Sequence, residues 1–196
     1  MKNASKKAIV LLLAAVLLIG CVAGGTFAYL LIGTAKVDNT FVAGDIGDLK
    51  LEETEKENYL VIPGVNITKD PKVTFGGNNV DAYVFLKIDA KAWTVSGSDT
   101  TYTYSIGTGD KEMKWVLEGW TKLEDGVYYK AVAANATTET WTVIKDNKIT
   151  VGTGITETEI ASYANVLSFT AYAVQKDTFA TPAAAWAQVK TENSIA

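Results

Sequence analysis

The chain has 196 residues, of which 48% are hydrophobic and 20% charged, and its formal net charge is −4. All 18 basic residues are lysines and there is no histidine. Ser-His-Asp and Cys-His catalysis and histidine zinc sites are therefore excluded. An acidic, arginine-free surface repels phosphate backbones, so nucleic acid is not an expected partner.

The N-terminus has the pattern of a secretory signal, because lysines precede an uncharged apolar run over residues 8–20 and small residues follow it. Thr26-Phe27-Ala28 has the small residues that signal peptidases accept, which predicts cleavage between Ala28 and Tyr29. Two alternatives stay open. Leu18-Ile19-Gly20-Cys21 fits a lipobox that would lipidate Cys21, and the apolar run is also compatible with an uncleaved anchor. If a signal peptidase cleaves after Ala28, we expect the protein to contact the membrane only during export.

Cleavage after Ala28 would leave 196 − 28 = 168 residues, with 15 lysines against 22 carboxylates and a net charge of 15 − 22 = −7. This length is enough for one domain with a substantial core. Cys21 is the only cysteine and would leave with the signal. The mature domain would then have no disulfide, and its stability would depend on its core or on neighbours in an assembly.

Alternation with a period of two dominates the rest of the chain and predicts an all-β fold. The alternating segments, separated by turn signals, are 35–43, 82–88, 127–132, 140–144 and 166–174. Many short strands at this spacing predict an antiparallel two-sheet, jelly-roll-like sandwich. Thr181-Pro182, followed by Trp186 and Val189, predicts a short C-terminal helix that Trp186 docks on the sandwich.

Carboxylate pairs are the remaining candidates for catalysis or calcium binding: Asp45 with Asp48, Glu52 with Glu53, and Glu157 with Glu159. None follows a calcium-loop pattern, and acidic turns on exported domains are usually solvated. We therefore predict no catalytic, cofactor or metal site, and no enzymatic activity. The aromatic residues could either fill the core or form a surface platform on which carbohydrate rings stack, and we expect them to fill the core. The residues concerned are Trp93, Tyr102, Tyr104, Trp115, Trp120, Tyr128, Tyr129 and Trp141.

Several stretches together resemble the TasA/camelysin family, whose members are exported by Gram-positive bacteria through a SipW-type signal peptidase. The stretches occur in order along nearly the whole chain. They are residues 24–30, 39–44, 62–64, 69–73, 81–87, 126–130 and 171–175, ending near Ala185-Trp186.

The resemblance implies a secreted structural subunit of biofilm matrix fibres, located in the extracellular matrix or at the cell surface. In such fibres the N-terminal strand of one subunit completes a sheet of the next. The implied organisation is a signal peptide at 1–28, a donor segment at 29–44 and a β-sandwich domain at 45–196. The implied partners are further copies of the chain, the SipW-type peptidase and other matrix components. The polymerisation strand would present five alternating residues: Ala35, Val37, Asn39, Phe41 and Ala43.

The sequence departs from the family after the cleavage site, where Leu31-Ile32-Gly33-Thr34 replaces a Thr-Asp pair that relatives often carry. Some members are described as metalloproteases, and the absence of histidine gives that activity no support here. The alternative functions are a monomeric cell-surface module that binds polysaccharide, and a lipid-anchored surface protein.

Overall fold

Twelve strands and two helices make up the computed structural model, which describes residues 45–54, 60–163 and 167–195. Two 3₁₀ turns, Gly109–Lys111 and Lys145–Asn147, interrupt the strands. The strands and helices are β1 Asp48–Glu52, β2 Ile67–Thr68, β3 Lys72–Gly76, β4 Ala82–Asp89, β5 Thr94–Ser98, β6 Thr101–Ile106, β7 Met113–Glu118, β8 Thr121–Glu124, β9 Val127–Val132, β10 Glu139–Thr142, β11 Lys148–Val151, α1 Glu157–Ser162, β12 Ser168–Gln175 and α2 Pro182–Asn193.

The strands form three antiparallel sheets, in the orders β1-β3-β10, β2-β11-β7-β6-β5 and β12-β4-β9-β8. The predicted all-β class is therefore confirmed, whereas the predicted number of hydrogen-bonded sheets, two, is wrong for the described residues. The division arises because β1 and β12 are both edge strands and form no ladder with each other.

Strand β4 is the centre of the four-stranded sheet and is buried on both faces, as its apolar sequence predicts. Ala82, Val84 and Leu86 face the main core, which the three sheets share. Tyr83 and Phe85 face the opposite side, where they form a second core with Trp186 and Val189 of α2. The alternation of side chains thus assigns one face of β4 to the other sheets and one to the helix.

Helix α2 begins where the sequence predicts. The Thr181 hydroxyl accepts a hydrogen bond from the Ala184 N–H at 3.2 Å, and Pro182 takes the first helical position. Trp186 is 2% exposed, and its ring centroid lies 5.2 Å from that of Phe85. The predicted docking of the helix by Trp186 is confirmed.

Two local features differ from the expectation. Strand β10 ends at Thr142. Val143 and Ile144 leave the ladder, are fully buried and lead into a 3₁₀ turn. Helix α1 was not predicted, although the Thr156 and Glu159 side chains form a capping box around its start. The Thr-x-x-Glu spacing was the signal in the sequence that could have revealed this helix.

Candidate functional site

The free edge of β12 is the most unusual surface feature of the fold. The Lys176 N–H donates to the Asp81 carbonyl at 2.8 Å, which continues the β12–β4 ladder past its end. Because backbone groups alternate in an antiparallel ladder, the even-numbered residues of β12 bond to β4. Its odd-numbered residues therefore direct N–H and C=O groups away from β4: Phe169, Ala171, Ala173 and Gln175. Within the described residues, no strand pairs with this edge.

Strand β12 has neither the charges nor the proline that usually protect an edge strand from pairing. Its eight residues, Ser-Phe-Thr-Ala-Tyr-Ala-Val-Gln, include no charge and no proline. The other edge strands of the described chain are shorter, and several bear charges. β8 carries Lys122 and Glu124, β10 has four residues, β2 has two, and every residue of β5 is exposed. An uncharged edge of eight residues is a template for pairing with another strand.

The apolar side chains of β12 are only half-buried. Phe169, Ala171 and Ala173 pack against the main core, whereas Tyr172 and Val174 pack against the helix-side core. None of the eight residues of β12 reaches the fully buried class. The strand thus presents both an unpaired backbone and incompletely covered apolar side chains.

Strand β1 lies beside this edge, and Cα atoms of β1 and β12 approach within 8 Å of one another without forming a ladder. Leu49 and Leu51 of β1 are half-buried against the same core as Phe169. We call the line where the two strands meet the β1/β12 seam. It is the boundary between the three-stranded and the four-stranded sheet.

One end of the β1/β12 seam is occupied by polar groups. Lys69 Nζ lies 2.6 Å from Glu53 Oε1, directly after β1, and 5.7 Å from the ring centroid of Phe169 in β12. Next to this pair, the Thr54 N–H and hydroxyl donate to the two oxygens of Asp70, at 2.9 and 2.8 Å. These hydrogen bonds lower the pKa of the Asp70 carboxyl below its usual range.

The residues predicted for cleavage and polymerisation lie outside the described residues. This applies to Ala28, Tyr29, Ala35, Val37, Asn39, Phe41 and Ala43. Their roles remain predictions from the sequence.

Three of the six carboxylates that the sequence singled out have local structural contacts. Asp45 accepts a hydrogen bond from the Gly47 N–H at 2.9 Å, and Glu53 pairs with Lys69. Glu159 bonds to Lys111 at 2.6 Å and caps α1, and these contacts lower its pKa to about 2. Among residues 45–54, 60–163 and 167–195, no three His, Cys, Asp or Glu side chains gather as metal ligands would.

Most of the aromatic residues are core residues. Five of the eight rings weighed as a carbohydrate platform are no more than 5% exposed: Tyr102, Tyr104, Trp115, Trp120 and Tyr128. Trp93 is partly exposed and lines an open cleft of about 760 Å³, together with Lys87 and Lys91.

No known family, curated protein or solved structure matches this chain. In addition, none of the helices in the described part of the chain has the length and apolar character needed to cross a membrane.

The seam residues could not be found from sequence patterns. Lys69 and Glu53 are 16 positions apart, and no spacing rule pairs residues at that distance. The β12 segment carried a visible signal, since an uncharged alternating run is typical of a strand. Its position at an edge follows only from the order of the strands.

Proposed function

We propose that this chain is a secreted structural subunit of extracellular biofilm matrix fibres, as its resemblance to the TasA/camelysin family implies. In this proposal, residues 29–44 of one subunit donate a strand to β12 of the next. The observation that carries the proposal is the eight-residue, uncharged free edge of β12 beside β1.

The division into three sheets supports a missing strand. A strand inserted at the seam would bond to β12 on one side and to β1 on the other. The inserted strand would link the three-stranded sheet to the four-stranded sheet. The result would be one continuous sheet opposite the five-stranded sheet. The two-sheet, jelly-roll-like sandwich that the sequence predicts is the expected form of the assembled subunit.

The composition of the donor segment suits this position. Residues 35–43 alternate over nine positions, and β12 offers eight. Small Ala35 and Ala43 and apolar Val37 and Phe41 would lie on one face of an added strand. That face would cover the core beside Ala171 and Ala173, where the side chains of β12 are only half-buried.

Donation from one copy to the next is a head-to-tail contact that does not close on itself, so it propagates as a filament. Cleavage by a SipW-type peptidase would release the donor segment only outside the cell. We assign the chain no enzymatic activity and no cofactor, and we place it in the extracellular matrix or at the cell surface. Its partners are copies of itself and other matrix components.

The first test removes the donor. Chains that start at Tyr29 and at Asp45 are purified and imaged by negative stain, and their intact masses are compared with that of the natively secreted protein. We expect filaments only from the longer chain and a native mass that corresponds to cleavage after Ala28. A chain starting at Asp45 that forms filaments equally well would disprove donation. A lipid-modified mass beginning at Cys21 would favour the lipid-anchored alternative.

The second test blocks the acceptor. Ala171→Pro removes an N–H that points away from β4, so the β12–β4 ladder keeps its hydrogen bonds. Val95→Pro is the matched control, because Val95 lies at an outward-bonding position of the exposed edge strand β5. We expect Ala171→Pro to abolish filaments while the monomer keeps its melting temperature, and Val95→Pro to assemble normally. Normal filaments from Ala171→Pro would rule out β12 as the acceptor.

The cleft around Trp93 supports a second candidate function, the binding of polysaccharide. Lys87 and Lys91 form no ion pair within the described residues, and the partly exposed Trp93 is an aromatic residue of the kind that stacks on sugars. Trp93→Ala should then abolish a saturable fluorescence change on titration with matrix glycans. A flat titration of the unmodified protein would remove this candidate and leave the fibre proposal untouched.

A further inference from the structure

The ion pair at the end of the β1/β12 seam is unusually well buried for charged groups. The side chains of Lys69 and Glu53 are 7% and 15% exposed, and their charged atoms are 2.6 Å apart. In each of seven other ion pairs among the described residues, at least one side chain is exposed by a third or more. A charge held in such a place is strongly unfavourable without its partner.

This pair connects the two free edges. Glu53 follows the last residue of β1, Lys69 follows β2, and the Lys69 ammonium lies over the ring of Phe169, the second residue of β12. The end of β1 and the start of β12 are therefore tied through a single lysine. Because the end of one strand meets the start of the other, β1 and β12 run in opposite directions along the seam.

A strand can enter the seam only if β1 and β12 separate. Neighbouring strands in a sheet lie about 4.8 Å apart, so an inserted strand requires about 9.6 Å between its two partners. Cα atoms of β1 and β12 are now within 8 Å of each other. The contacts of Lys69 with Glu53 and Phe169 oppose that separation.

We propose that Glu53, Lys69 and Phe169 form a clasp that holds the β1/β12 seam closed in the free subunit and opens when a strand from a second copy enters. The identity of the entering strand rests on the proposed function, whereas the closing of the seam does not. The clasp would keep the uncharged edge of β12 from pairing indiscriminately before a donor strand arrives.

The test measures seam opening directly, with a thiol probe in the full mature chain. Cleavage after Ala28 leaves no cysteine, so Ala173→Cys places a single thiol on the half-buried side of the seam. Its labelling rate is measured on freshly isolated monomers with an aromatic disulfide reagent. A second probe, Val116→Cys in β7, reports opening elsewhere in the fold.

Glu53→Gln removes the carboxylate that lies 2.6 Å from the Lys69 ammonium, which should weaken the hold on Lys69 in this buried place and release Phe169. We expect labelling at position 173 to accelerate about tenfold, with labelling at position 116 unchanged. The double variant Glu53→Gln/Lys69→Met removes both charges of the pair and should return the rate towards that of the unmodified clasp. Glu118→Gln, which breaks the exposed pair with Lys145, is the matched control and should change nothing.

Filament formation is then followed for the Glu53 and Lys69 variants without the cysteine probes, because Ala173 lies in the surface that a donor strand would cover. With the clasp released, the critical concentration for assembly should fall, because less of the donor's binding free energy is used to open the seam. Unchanged labelling at position 173, or equal acceleration at both probes, would overturn the clasp whatever the filaments do. Faster labelling only at position 173 without filaments from any variant would support the clasp and refute strand donation.

Discussion

Replacing Trp186 with alanine tests whether one side chain fixes α2 to the four-stranded sheet. The helix buries only Ala185, Trp186 and Val189, and an isolated helix of 12 residues is marginal in water. Trp186 is 2% exposed and contacts the rings of Phe85 and Tyr172, at centroid distances of 5.2 and 5.7 Å. Loss of a buried aromatic ring of this kind lowers the free energy of unfolding by about 3–5 kcal/mol.

The assay is urea unfolding followed by far-ultraviolet circular dichroism. Trp186→Phe distinguishes the contribution of the ring from that of its hydrogen bond. This variant keeps an aromatic ring but loses the 2.7 Å hydrogen bond that Nε1 donates to Glu124. The free energy of unfolding of Trp186→Phe should be lower than that of the unmodified protein by only about 1–2 kcal/mol. Gln188→Ala, on the exposed side of the same helix, should change the stability by less than about 0.5 kcal/mol. A loss below about 1 kcal/mol for Trp186→Ala would refute the reasoning, since the helix would then be held by other contacts.

Two further variants test the polar contacts. Tyr104→Phe leaves the buried hydroxyl of Tyr128 without its 2.8 Å partner, and chemical denaturation should show a loss of about 1–3 kcal/mol. Glu159→Gln tests whether titration of the Glu159 carboxyl changes the stability of the protein. The bonds from Lys111 and Thr156 depress the pKa of Glu159 to about 2, so its contribution to stability is complete above its unfolded pKa of about 4.5 and is lost as the pH falls towards 2. Stability measured between pH 5 and 2 should therefore fall less steeply in Glu159→Gln than in the unmodified protein, and parallel curves would contradict this assignment.

Local sequence patterns account for much of the fold. The alternation at 82–88 and 127–132 predicted β4 and β9, and Thr181-Pro182 predicted the start of α2, because turn, capping and strand preferences act over a few residues. Helix α1 was missed although its capping box is equally local. The candidate site was only partly visible. The β12 segment was predicted as a strand, but the Glu53–Lys69 pair left no pattern in the sequence.

The sequence by itself determined the absence of histidine and the β-rich class, and it predicted an export signal and an N-terminal segment that alternates as a strand would. Only the tertiary structure decided which strand is left at an edge. Strand order depends on pairings between distant segments, such as that of β12 with β4, in which Thr170 pairs with Lys87 across 170 − 87 = 83 positions. Hydrophobic periodicity, in contrast, is the same for an edge strand and a central one. The burial of Lys69 beside Glu53 and Phe169 was decided in the same way, because charge and spacing along the chain do not specify which side chains meet where two sheets end.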